Sequence, residues 1–99
     1  MDEKVPDEAA LVARLQAGED DAFAACLRTY CGRLLAAARR ILGNEEDARD
    51  AVQDAFLSAF KEIGNFLGQS RLGTWLHRIV VNAALGRLRR SRRHLSPAG

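Results

Sequence analysis

The sequence predicts an all-α protein, a compact bundle of about four helices. Apolar residues recur at steps of three and four through most of the 99 residues, the spacing of helices that bury one face. The two prolines, Pro6 and Pro97, stand near the ends, and the glycines between them fall where helices would stop. β-branched residues are few and no polar/apolar alternation persists, so no strand is expected.

The first helix is expected from about Asp7 to Ala17, with Pro6 and Asp7 as start signals and Gly18 as the stop. Leu11, Val12 and Leu15 give it a narrow apolar stripe. The second runs from about Asp20 to Leu42 and ends at Gly43, with Phe23, Leu27, Tyr30, Leu34, Ala38 and Ile41 as its core face. The third opens on Asn44, a good N-cap, with Glu45, Glu46 and Asp47 at the positive end of the helix dipole. It continues to about Ile63 and buries Ala48, Val52, Ala55, Phe56 and Ala59. A loop from Gly64 to Gln69 follows. The fourth helix starts near Ser70, carries Trp75, Leu76, Ile79, Val80 and Ala83, and beyond Leu88 becomes an arginine-rich tail. Two glycines inside it, Gly73 and Gly86, are expected to loosen it, at about 1 kcal/mol each.

The net charge of +2 conceals an uneven distribution. Residues 1–63 hold all 13 acids and 8 bases, a balance of −5, whereas residues 64–99 hold 7 arginines and no acid. Two surfaces with different partners are expected, one of them nucleic acid or an anionic membrane. No apolar run approaches the roughly 20 residues of a membrane span. The acidic N-terminus lacks the apolar stretch of a signal peptide. Cys26 and Cys31 lie about half a turn out of phase on one helix, so a disulfide or zinc pair is not expected. Both are expected as buried thiols in a reducing compartment.

Catalysis finds little support. No Ser/His/Asp set is in reach, and His77 and His94 have no ligand partner at metal spacing. No cofactor and no metal are expected. Asp47, Asp50 and Asp54, with Gln53 beside them, share one face of the third helix. Periodicity alone favours a solvated face there over a surface that steers a basic partner. The basic segment is more telling. Arg78, Arg87, Arg89, Arg90, Arg92 and Arg93 repel one another with no acid in the same stretch, which phosphate neutralisation would offset.

The loop before that segment combines Asn65, Phe66, Gln69 and Ser70 between two glycines. These are the groups that stack a base and hydrogen-bond its exposed edge. Trp75 offers a further stacking surface one turn into the fourth helix. Asn82, two turns beyond, is a polar residue among aliphatics and a candidate for a bidentate base contact. Each has a structural alternative, with Phe66 and Trp75 serving the core. Together, beside the arginines, they favour single-stranded nucleic acid.

These residues also carry a resemblance. Asp50, Val52, Gln53, Asp54 and Phe56 match the D-x-V-Q-[ED]-x-F signature of bacterial sigma factors. Phe66, Gly68, Ser70, Leu72, Thr74, Trp75, Leu76, Arg78, Ile79 and Asn82 resemble the next segment of the extracytoplasmic-function (ECF) branch, and Glu8 to Phe23 is similar to the start of that domain. The resemblance covers about residues 8–93. It implies sigma region 2, the helical module that holds bacterial RNA polymerase in the cytoplasm and opens the promoter. It implies that Asp50, Gln53 and Asp54, with Asp47 beside them, dock on the β′ coiled coil. Residues 65–70, notably Asn65, Phe66, Gln69 and Ser70, would with Asn82 capture a flipped non-template base of the minus-ten element. Trp75 would wedge the melted junction, and Arg71, Arg78, Arg87 and Arg90 would serve the DNA strand. Two departures stand out: Leu72 replaces a common aromatic, and Gly86 stands where relatives often carry Asp, Asn or Lys.

The expected organisation is one region 2 domain over residues 1–95, with 96–99 opening a linker and no region 4. An anti-sigma protein is a further partner that the resemblance implies. The alternative is a helical protein-interaction module without a DNA function of its own. A membrane-surface helix ranks below both, because residues 84–93 offer only Leu85 and Leu88 as apolar anchors.

Overall fold

The structure, a computed structural model, describes the backbone of residues 8–95 and the side chains of residues 8–91. The start signals Pro6 and Asp7, the side chains of Arg92, Arg93 and His94, and the linker expected at 96–99 lie outside the described residues. Four α-helices follow in order: α1 (Glu8–Gln16), α2 (Asp20–Leu42), α3 (Glu45–Glu62) and α4 (Leu72–Leu95), with a short 3-10 turn at Ile63–Asn65. Helices α2, α3 and α4 pack on one another, and α1 lies across α2 and the 3-10 turn.

The expected helix signals act as local chemistry. Asn44 caps α3, its side chain accepting from the Asp47 amide at 2.9 Å. Gly43 closes α2, its N–H donating to the Arg39 carbonyl at 2.7 Å. α4 differs from expectation at both ends. It begins at Leu72 rather than near Ser70, and it runs unbroken through the arginine segment to Leu95, the longest helix of the four.

The core is an alanine-rich seam filled by a few large side chains. Ala22, Ala38, Ala48, Ala51, Ala59 and Ala84 are fully enclosed, and Leu15, Leu34, Leu72 and Val80 supply the volume between them. Small residues along the seam let the helix axes approach, so dispersion contacts accumulate across both faces. Among the described residues no polar or charged residue is buried. The face that α2 buries is rotated from the expected stripe. Cys26 and Ala22 enter the core while Leu27 stays outside.

Gly73 reverses its expected role. A Cβ at this position would stand 3.0 Å from Cε1 of Tyr30 and 3.4 Å from Nη1 of Arg33. The missing side chain is what allows the first turn of α4 to lie against α2, so this glycine tightens the packing. Gly86 differs, since its Cβ would meet only the flexible end of Arg90, at 3.6 Å.

Candidate nucleic-acid and protein interfaces

The segment between α3 and α4 folds back on itself. The Phe66 amide donates to the Ile63 carbonyl at 3.1 Å, closing the 3-10 turn. The Phe66 ring is then buried and packs on Trp75, with centroids 5.0 Å apart and planes inclined at 51°. Gly68 takes φ 77°, a left-handed value that suits a residue without Cβ, and reverses the chain toward α4. Beneath this fold is a recess of about 160 Å³ lined by Asn65, Phe66, Leu67, Gln69, Ser70, Trp75 and Arg78. Six residues selected from the sequence thus surround one small polar hollow. Leu67, exposed at the rim, was not among them.

The remaining candidates lie apart from the recess. Arg71 is exposed just before α4, and Asn82 and Arg90 are exposed farther along that helix. Leu72, which replaces a common aromatic of the resembled family, is wholly buried in the core. Asn65 is positioned by its side-chain amide, which donates to Glu62 at 2.9 Å.

Arg87 corrects the expected separation of charge. Its Nη2 stands 3.3 Å from Oδ2 of Asp54 and 3.9 Å from Oδ2 of Asp50, joining α4 to the acidic face of α3. The Arg87 side chain is 28% exposed, and its buried Nε has no hydrogen-bond partner within the chain. At Arg87 the arginine segment therefore does have compensating acids. They are supplied by a packed neighbour instead of by its own stretch of sequence.

The acidic face is also divided. Asp50 and Asp54 flank Arg87, while Gln53 lines an open apolar groove of about 470 Å³ between α2 and α3. Leu27, Leu35, Phe56, Leu57 and Phe60 supply its apolar walls. Leu57 is 58% exposed there, and Leu27 is 39% exposed. The groove's polar edge is Gln53 and Arg49, and an exposed apolar patch with a polar rim is the composition of a protein-docking surface. At the head of α3, Arg39 and Arg49 both pair with Glu45 and hold its carboxyl below the usual range, the hydrogen bond from Arg39 contributing most.

Cys26 and Cys31 separate. Burial pushes the Cys26 thiol up to about 11, whereas Cys31 is exposed at the edge of the groove. The expectation of two buried thiols fails for Cys31 because the half-turn offset that forbids pairing also carries it out of the core. Among the described residues no group of three or more His, Cys, Asp or Glu side chains could hold a metal ion. Nor is any described helix long and apolar enough to cross a membrane.

Comparison with known proteins is consistent with this geometry. The family model for Sigma-70 region 2 matches residues 26–94. The ECF RNA polymerase sigma factor SigM of Mycobacterium tuberculosis (strain ATCC 25618 / H37Rv) is 45% identical over 87 residues, which are 88% of this chain and 44% of that protein. The ECF RNA polymerase sigma-E factor of Escherichia coli (strain K12) is 36% identical over 84 residues, 85% of this chain and 43% of that protein. The chain thus spans less than half the length of the curated relatives it matches. An NMR structure of an engineered region 2 of sigmaE in complex with GTAAAA superposes with a TM-score of 0.83 at 32% identity, covering 98% of this chain and all of that one. By family match, sequence identity and fold, the chain belongs to Sigma-70 region 2, in the ECF branch.

Proposed function

We propose that the chain is a transcription-initiation module of the bacterial cytoplasm that binds core RNA polymerase and captures an unstacked base of the minus-ten non-template strand. The observation that carries this reading is the recess. Asn65, Gln69 and Ser70 bring hydrogen-bonding groups to a hollow walled by Phe66 and Trp75, with Arg78 at its edge. Its volume of about 160 Å³ suits one heterocycle better than a whole nucleotide. A base enters such a hollow only after leaving the stack, so capture and melting are one event, and the unstacking cost is smallest where the duplex is already weak. The likeness to a sigmaE region 2 in complex with GTAAAA supports the same assignment.

In this reading Arg71, Arg78 and Arg90 face phosphates, and Asn82 extends base contacts along α4. Arg87 joins them only by exchanging its carboxylates for a phosphate. Asp50, Gln53 and Asp54, with Asp47 in the first turn of α3, form the polar part of the docking face for the β′ coiled coil, and the Leu27–Leu57 groove supplies its apolar part. The same groove accounts for the alternative reading as a protein-interaction module. An anti-sigma partner on that face would compete with polymerase. The reaction involves no bond chemistry by the chain itself; binding energy drives strand opening.

Selection from a randomised single-stranded DNA pool tests this function. A short enriched motif, lost in Phe66→Ala and Asn82→Ala with helicity retained, is the expected result. Retention of the pool without enrichment of any sequence would overturn it.

A further inference from the structure

The helix α1 touches the capture segment at both ends, through two side chains that reach out of α1 to the backbone of other segments. Gln16, in the last turn of α1, donates from Nε2 to the Ile63 carbonyl at 2.9 Å and to the Phe66 carbonyl at 3.1 Å. These carbonyls bracket the 3-10 turn that presents Asn65 and seats Phe66 on Trp75. Glu8, in the first turn of α1, accepts from the Leu72 amide at 2.8 Å. The first intrahelical bond of α4 runs from the Trp75 amide to the Arg71 carbonyl, so Leu72 carries one of the N-terminal amides that a helix leaves unpaired. A carboxylate at this end also meets the positive pole of the α4 dipole. Between the two anchors, six residues cross from Phe66 to Arg71 with few hydrogen bonds of their own, and α1 spans them as a brace.

We infer that Gln16 and Glu8 are positioning residues for base capture: α1 clamps the segment at Ile63, Phe66 and Leu72 and so holds the recess open in its binding shape before DNA arrives. The inference rests on the DNA-binding reading above. Neither residue lines the 160 Å³ recess, so neither contacts the captured base there. Their effect is on preorganisation, which raises affinity for the correct strand by lowering the ordering cost of binding. Arg90 lies far along α4 from the clamp, so the part of the phosphate affinity that it supplies is independent of Gln16 and Glu8. Sequence discrimination and electrostatic affinity therefore separate experimentally.

The test uses the full chain and one randomised single-stranded DNA pool. Gln16→Leu keeps the size of an exposed side chain and removes its two donated hydrogen bonds. Glu8→Ala removes the acceptor at Leu72, and Glu8→Gln keeps an oxygen that can accept. Gln16→Leu and Glu8→Ala are expected to lower enrichment of the wild-type motif at least tenfold. The salt dependence of bulk pool binding should stay as in wild type, and Glu8→Gln should restore enrichment. Trp75, the one tryptophan, supplies a readout without DNA: its emission should shift in Gln16→Leu as Phe66 loosens. Undiminished enrichment in Gln16→Leu overturns the inference while leaving the DNA reading intact. A loss of enrichment accompanied by an equal loss of pool binding and of helicity also overturns it, because that marks general unfolding. A wild-type chain that enriches no motif overturns the DNA reading and the clamp's function together.

Discussion

The Arg87 guanidinium stands 3.3 Å from the Asp54 carboxylate, and this pair joins the helix proposed to meet DNA with the face proposed to meet polymerase. Such a contact is of modest strength. Asp54 is 56% exposed, and pairs of this kind are worth about 0–1 kcal/mol. Arg87 is thus held loosely enough for a phosphate to take it over. The double variant Asp50→Asn, Asp54→Asn is expected to tighten single-stranded DNA binding several-fold at low salt, by freeing Arg87 and removing two negative charges from its side. The gain should shrink as salt is raised, and the melting temperature should move by only a few degrees. Fluorescence anisotropy across a salt series is the measurement; unchanged or weakened binding would contradict the competition.

Gly73 and Gly86 both sit inside α4, and helix propensity alone favours alanine at each. Packing divides them. Gly73→Ala places a methyl 3.0 Å from the Tyr30 ring, and the overlap is expected to cost about 1–3 kcal/mol. Gly86→Ala meets only the movable end of Arg90 and should stabilise by about 0.5–1 kcal/mol. Thermal unfolding of the two variants should therefore give shifts of opposite sign.

The bundle itself was legible because periodicity reports burial: Tyr30, Leu34, Val52, Phe56, Leu76 and Val80 all reach the core where spacing put them. The recess was legible in part: Asn65, Phe66, Gln69, Ser70, Trp75 and Arg78 are close in sequence and share it, whereas Asn82, expected with them, does not line it. What spacing could not supply is contact between distant segments. Gln16 meets Phe66 across fifty positions, and Arg87 meets Asp54 across thirty-three. Charge counted along the chain therefore overstated the division between acidic and basic halves. The apolar groove left a faint trace, since Leu57 is apolar at a position outside the core stripe of α3. The exposure of Cys31 follows from its offset from the buried Cys26.

The recess makes a prediction about its aromatic pair. Phe66 is both a wall of the hollow and a buried core residue, so Phe66→Ala should lose stability, by about 3–5 kcal/mol at most, as well as DNA binding. Gln69→Ala removes a recess side chain that is exposed, and should leave the melting temperature within about 2 °C while weakening capture. Comparing unfolding and oligonucleotide titrations for the two separates packing from recognition. Equal stability losses would contradict the placement.

The two cysteines predict a chemical and a pH behaviour together. A thiol reagent at neutral pH should modify Cys31 quickly and Cys26 only after unfolding, giving one fast equivalent per chain. Burial raises the Cys26 thiol from 9.0 to about 11, and burial followed by the nearby Glu8 charge also raises the Tyr30 hydroxyl. Both groups hold their protons more firmly when folded. The stability linked to them is complete below about pH 9 and is lost as pH rises toward 11 and beyond. For Cys26 the linked contribution is on the order of 2 kcal/mol. Denaturant titrations between pH 8 and pH 11 should thus show falling stability, with a shallower fall in Cys26→Ala after allowance for its lower starting value. A flat profile in the wild-type chain would contradict the burial of this thiol.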